Sequence, residues 1–179
     1  MPETPPMNID RLRELVAAST AWREAGTGGA AVAAGLHAAR TASPHDVDRL
    51  AFAHRIIVTG AGSSLYTSQM GAAAMRSYCR LPAEAWPLSE VLLRPRAVFA
   101  REELTNQPVV VVSRSGTTTE ALDVIRAARD RDQFTVAVTC RPDSPMAQLA
   151  DSVLAVPQAD EQAIVMTRSV AAQTALLMR

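Results

Sequence analysis

Apolar positions follow two rhythms along this chain. Ile9, Leu12, Leu15 and Val16 recur at helical spacing, as do Val32 and Leu36, and then Val47, Leu50, Ala51 and His54, so residues 1–50 read as an N-terminal helical segment. Gly26-Thr27-Gly28-Gly29 and Thr41-Ala42-Ser43-Pro44 read as the breaks between those helices. From residue 51 the rhythm changes. Ile56 to Thr59, Ala83 to Trp86, Val109 to Ser113, Phe134 to Thr139 and Val153 to Val156 are short runs that suit strands of a parallel sheet, and the four valines Val109 to Val112 suit one buried on both faces. A helical pattern from about Leu65 to Tyr78, a proline-punctuated stretch through Pro95, and the series Ala121, Leu122, Ile125, Ala128 lie between them. The predicted fold is α/β, a doubly wound five-stranded parallel sheet with covering helices, preceded by N-terminal helices.

The loop after the third predicted strand carries the most chemistry. Four valines, Val109 to Val112, stop in Ser113-Arg114-Ser115-Gly116-Thr117-Thr118, and a helix follows. A helix N-terminus offers unpaired N–H groups and a partial positive charge. Ser115, Thr117 or Thr118 is expected to cap it, and one hydroxyl satisfies a cap. The surplus of hydroxyls, with a glycine that lets the backbone approach closely, suits an anion the size of phosphate. An ordinary capped helix after a buried strand is the plainer alternative. In open parallel sheets ligands bind beyond the carboxyl ends of the strands where strand order reverses, and the Ser63-Ser64 loop leaves another strand at that same edge.

Gly60-Ala61-Gly62-Ser63-Ser64-Leu65 also follows a strand and opens a helix, as a dinucleotide fingerprint does. Leu65 stands where the third glycine belongs, and Glu84 is the acidic candidate for a ribose hydroxyl. A glycine turn without ligand is the other reading.

Composition narrows the class. The chain has 179 residues, 48% of them hydrophobic, enough for one good core. Formal net charge is +0 with both signs scattered, which gives no footprint for nucleic acid or an anionic membrane. All 18 basic residues are arginine, so a lysine Schiff base is excluded within this sequence. Cys79 and Cys140 have neither a Cys-x-x-Cys partner nor a nearby histidine; they read as buried free thiols, and no metal or cofactor is expected. The Met1 to Pro6 start lacks the basic and apolar regions of a signal peptide, and no apolar run reaches the length of a membrane span, so the chain is expected in the cytoplasm.

Ser113-Arg114-Ser115-Gly116-Thr117-Thr118 resembles the Ser-x-Ser-Gly-x-Thr signature of the sugar isomerase (SIS) domain. Ile56 to Ser64 resembles that family's first strand and Gly-Thr/Ser-Ser loop. Glu161-Gln162-Ala163-Ile164-Val165-Met166-Thr167-Arg168 is similar to the Glu-x-x-Val-x-Ser-Thr-Lys stretch of the isomerase half of glucosamine-6-phosphate synthase, and the Ser-Arg-Ser-Gly form leans toward tagatose-6-phosphate ketose/aldose isomerases. The resemblance implies a flavodoxin-like SIS domain over residues 51–179, and a phosphorylated sugar or aminosugar as ligand. By position, Ser113, Ser115 and Thr118 would hold the phosphate, helped by backbone N–H groups near Arg114. Gly62, Ser63 and Ser64 would face the sugar hydroxyls, and Ile164 and Met166 would line the same pocket. Met166 stands where the family has serine. The Arg114 side chain is expected at solvent or an interface, Glu161 as a structural or helix-start carboxylate, and Glu120 pointing away from the ligand.

No catalytic residue is assigned. Aldose–ketose isomerisation needs a base and a ring-opening acid, whereas His37, His45 and His54 all precede the first strand. In the family the glutamate base and the histidine come from a second SIS domain or a neighbouring subunit. The helical pattern from near Met166 meets no stop signal before Arg179, so a second SIS domain is expected beyond it. Pairing as a homodimer, or with that second domain, is expected from an apolar final helix. Two functions remain: part of a ketose/aldose isomerase or aminosugar-phosphate deaminase, or a non-catalytic module sensing a sugar phosphate. Residues 1–50 hold no concentrated basic recognition helix of the kind a DNA-binding regulator carries there.

Overall fold

The computed structural model of the protein describes residues 8–99 and 106–179; the Met1 to Pro6 start lies outside them. Four helices come first: α1 (Ile9–Ala18), α2 (Thr20–Ala25), α3 (Gly28–Arg40) and α4 (Pro44–Ala51). Strand β1 (Ile56–Gly60) leads into α5 (Ser63–Tyr78), then β2 (Ala83–Pro87) and the short helices α6 (Leu88–Leu93) and α7 (Pro95–Val98). Beyond come β3 (Val109–Val112), α8 (Thr119–Arg129), β4 (Thr135–Thr139), α9 (Pro145–Leu149), β5 (Ser152–Ala155), a 3-10 turn at Pro157–Ala159 and α10 (Arg168–Leu177).

The five strands are all parallel in the order β2-β1-β3-β4-β5. From β1 the chain winds outward to β2, then returns to lay down β3, β4 and β5 on the other side, so helices cover both faces. Strand alternation divides the core accordingly. Val58, Val110, Val112, Val136 and Val138 face α3, α5 and α10, while Ile57, Val109, Val111 and Ala137 face α6, α8 and α9. Each such valine or isoleucine, fully withdrawn from water, contributes about 1.5–3 kcal/mol.

The expected break falls at Gly26 and Thr27, between α2 and α3, while Gly28 and Gly29 already open α3. Helix α3 crosses α10 at very short range: a Cβ on Gly35 would sit 2.2 Å from the Ala172 carbonyl oxygen. The apolar side of the final helix is therefore covered from within, by α3 and by α5, whose Gly71 admits Leu177. Helix α10 begins at Arg168 rather than near Met166. Helix α1 forms at the predicted spacing, with Asn8 capping it, yet none of its residues is buried. Cys140 is buried as expected; Cys79, the C-cap of α5, is exposed together with Arg76, Ser77 and Tyr78 in the helix's last turn.

Candidate functional site

Strand order reverses between β1 and β3, and open parallel sheets take ligands beyond the carboxyl ends of the strands at such a point, so the loops after β1 and β3 form the candidate site. The β1 side is shaped by two glycines. A Cβ on Gly60 would fall 2.6 Å from the Ser64 carbonyl, and Gly62 has φ +56°, a left-handed turn that lets α5 start directly over the strand. Both glycines thus have a backbone reason. Ser63 opens α5 half-buried; Ser64 is buried in the first turn, and its carbonyl accepts the Ser68 hydroxyl at 2.8 Å. Glu84, the candidate ribose partner, already accepts from Arg55 at 3.3 Å and Trp86 Nε1 at 3.1 Å.

On the β3 side the ladder runs on past the strand, with Ser113 N donating to Val138 O and Cys140 N to Arg114 O, each at 3.0 Å. The Thr139 hydroxyl also donates to Arg114 O, at 3.0 Å. The loop backbone is thereby fixed before it turns at Gly116, φ +63°. Its hydroxyls pair across the turn: Ser113 Oγ lies 3.2 Å from Thr118 Oγ1, and Ser115 Oγ 2.9 Å from Thr117 Oγ1. Ser113 Oγ accepts Gly116 N–H at 3.2 Å and Ser115 Oγ accepts Thr117 N–H at 3.3 Å.

The expected cap does not form. Thr118 occupies the N-cap position of α8, but its hydroxyl faces Ser113 and no side chain bonds the first helical amides. Glu120 is exposed in that first turn.

The Arg114 side chain, expected at solvent or an interface, instead reaches another segment of the chain. Its Nη1 donates to Ala163 O at 2.7 Å, tying the β3 loop to the irregular strap between the 3-10 turn and α10. Glu161 is buried at the base of that strap and caps α10: its carboxylate accepts Thr167 N at 2.9 and 3.0 Å, Thr167 Oγ1 at 2.7 Å, Ser169 N at 3.3 Å and the Ser169 hydroxyl. Burial alone pushes the Glu161 carboxyl upward, and the bonds from the Ser169 and Thr167 hydroxyls and amides outweigh it, holding the group below its ordinary value. The Cys140 thiol is pushed up to about 12, first by burial and then by the nearby Asp160 and Glu161 carboxylates.

Ser113, Ser115 and Thr118 are thus gathered in one loop, and Arg114 reaches the strap. Met166 is half-buried there, whereas Ile164 is 95% exposed at its tip. Two contributors were missed by the sequence reading. Ser144, just before α9, packs against Gly116, and Ser-Pro at a helix start was the available signal. Glu24 in α2 accepts from the Gln162 and Ala163 amides at 2.8 and 3.1 Å, and no local motif marks it. The histidines lie elsewhere. His54 N donates to Asn106 O ahead of β3, and Asp46 beside His45 bonds Ser152 at the start of β5, both at the amino end of the sheet. Among the described residues, no three His, Cys, Asp or Glu side chains gather as a group able to hold a metal ion. Nor, among them, is any helix long and apolar enough to cross a membrane.

Residues 49–179 match the SIS domain family, and this chain belongs to it. It is 30% identical over 119 residues to the glutamine–fructose-6-phosphate aminotransferase (isomerizing) of Corynebacterium efficiens; the match covers 66% of this chain but 18% of that protein. Its fold is similar to the tagatose-6-phosphate ketose/aldose isomerase of Escherichia coli, with TM-score 0.77 at 20% identity, covering 89% of this chain and 47% of the other. The Vibrio vulnificus NanR protein, complexed with ManNAc-6P, is similar at TM-score 0.65 and 19% identity, covering 86% and 58%. At these identities the two structures speak to the fold.

Proposed function

We propose that this chain binds a phosphorylated sugar or aminosugar in the β1/β3 crevice, as the sugar-phosphate domain of a ketose/aldose isomerase or aminosugar-phosphate deaminase. The observation that carries this reading is the β3 loop. It concentrates four hydroxyls at the N-terminus of α8 and leaves the first helical amides without a side-chain cap. Ser113, Ser115, Thr118 and the amides around Arg114 hold the phosphate, each charge-assisted hydrogen bond contributing about 1.5–3 kcal/mol. Gly62, Ser63 and Ser64 face the sugar hydroxyls; the Ile164 backbone and Met166 border the sugar from the strap. The base and ring-opening acid come from a second SIS domain or a paired copy in the cytoplasm. Pairing is supported by the outward apolar stripe of α1, where Ile9 is 69% and Leu15 62% exposed.

A non-catalytic sensor module is the second reading; like the first, it draws on the similarity to the NanR protein, which is complexed with ManNAc-6P. Calorimetric titration with fructose-6-phosphate, tagatose-6-phosphate and ManNAc-6P, each beside its unphosphorylated sugar, tests the binding claim. Phosphorylated forms are expected to bind and the free sugars far more weakly; equal affinity for both overturns the phosphate assignment. Turnover of a phosphosugar by a longer chain carrying a second SIS domain separates the isomerase or deaminase from the sensor.

A further inference from the structure

The strap at residues 160–167 is held from outside the family-matched region. Glu24 is the one buried residue of α2, and both its oxygens are used, Oε1 by Gln162 N–H at 2.8 Å and Oε2 by Ala163 N–H at 3.1 Å. Ala163 passes the link onward through its next peptide unit, since its carbonyl oxygen accepts Arg114 Nη1 at 2.7 Å. A guanidinium closes the arrangement at the strap's far end. Arg168 Nη2 lies 3.7 Å from Glu24 Oε1 and donates to Asp160 O, while its Nη1 donates to Thr27 Oγ1 at 3.2 Å. Two strap amides and one arginine thus converge on a carboxylate supplied by the N-terminal helices.

We propose that Glu24 is a positioning residue for the candidate site, acting through the Gln162 and Ala163 amides to set the strap against the Arg114 loop. The inference rests on the sugar-phosphate reading above, in which the strap borders the sugar and the β3 loop holds the phosphate. A carboxylate accepts two N–H groups at once; a carboxamide presents one acceptor oxygen and turns a donor toward the other N–H. Glu24→Gln keeps the shape of the side chain and breaks this match.

Two measurements on the full chain test it. In the ligand-free protein, amide hydrogen exchange at Gln162 and Ala163 is expected to speed up at least tenfold in Glu24→Gln, with β3 and β4 amides unchanged. Unchanged exchange at both strap amides overturns the proposal. Calorimetry with fructose-6-phosphate and with inorganic phosphate gives the second readout. The variant is expected to lose about tenfold in affinity for the sugar phosphate while inorganic phosphate binds within twofold of the parent, a split that general loosening of the fold does not produce. Equal losses for both probes, or none for fructose-6-phosphate, overturn the positioning role. A parent protein that binds neither probe counts against the sugar-phosphate reading instead, and the exchange result then judges Glu24 alone.

Discussion

Gly116 and Ser144 touch so closely that a Cβ on the glycine would lie 2.1 Å from Ser144 Oγ and 2.5 Å from its Cβ. Ser144 Oγ is also the cap of α9, accepting Ala147 N–H at 3.3 Å. Gly116→Ala therefore meets two costs: a left-handed backbone at φ +63°, about 1–2 kcal/mol for an L-residue, and displacement of the cap, about 0.5–2 kcal/mol. Urea unfolding is expected to show a loss of about 3 kcal/mol. In a double-mutant cycle with Ser144→Gly the two losses are expected to fall short of additive by about 1 kcal/mol; strict additivity means the contact is not what excludes the side chain.

Ser113→Ala with Ser115→Ala removes two hydroxyls from the proposed phosphate cradle and leaves the Gly116 and Thr117 amides without their partners. Sugar-phosphate affinity is expected to fall about tenfold or more, since 1.4 kcal/mol already corresponds to that factor. The fold is expected to survive, because β3 and its neighbours are untouched. Calorimetry on the folded double variant checks it, and unchanged affinity removes the loop from the site.

The sheet was legible because buried parallel strands announce themselves locally: Val109 to Val112 can hardly be read otherwise, and Ser113 to Thr118 follows at once. What escaped depended on distant pairings. The apolar side of α10 read as an open face because nothing near it in sequence signals that Gly35, far upstream, admits α3 onto Ala172. Thr118 read as one of three possible caps because the sequence does not say that Ser113 offers its hydroxyl a nearer partner. Arg114 reads as a surface arginine until the strap brings the Ala163 carbonyl to it. Glu24 sits in an unremarkable helical turn, and only the tertiary fold shows that two backbone amides need its carboxylate.

The two cysteines are expected to differ sharply in reactivity. Cys79 is exposed, whereas Cys140 is buried with its thiol pushed up to about 12. The thiolate is the reacting species, so Cys140 is withheld both by access and by ionisation. Iodoacetamide at pH 8 is expected to label Cys79 alone in the native protein and both residues after denaturation. Peptide mass analysis checks it; comparable native labelling of Cys140 contradicts the packing between β4 and the 160–161 segment.

Glu161 ties acid stability to the start of α10. Its folded-state carboxyl titrates below the ordinary value, because the bonds from Ser169 and Thr167 outweigh the burial that opposes them. A depressed carboxyl contributes stability that is fully present above the unfolded-state value, about 4.3 for glutamate, and is lost as pH falls through the lower folded-state value. Glu161→Gln keeps the size but turns a donor toward amides and hydroxyls that need acceptors. At pH 7 it is expected to cost about 2 kcal/mol, in line with the loss of charge-assisted hydrogen bonds. Between pH 5 and the onset of acid unfolding, the parent is expected to lose stability more steeply than the variant, so the two curves converge at low pH. Urea unfolding of both proteins across that range measures it, and curves that stay parallel would mean that Glu161 is not ionised in the folded cap.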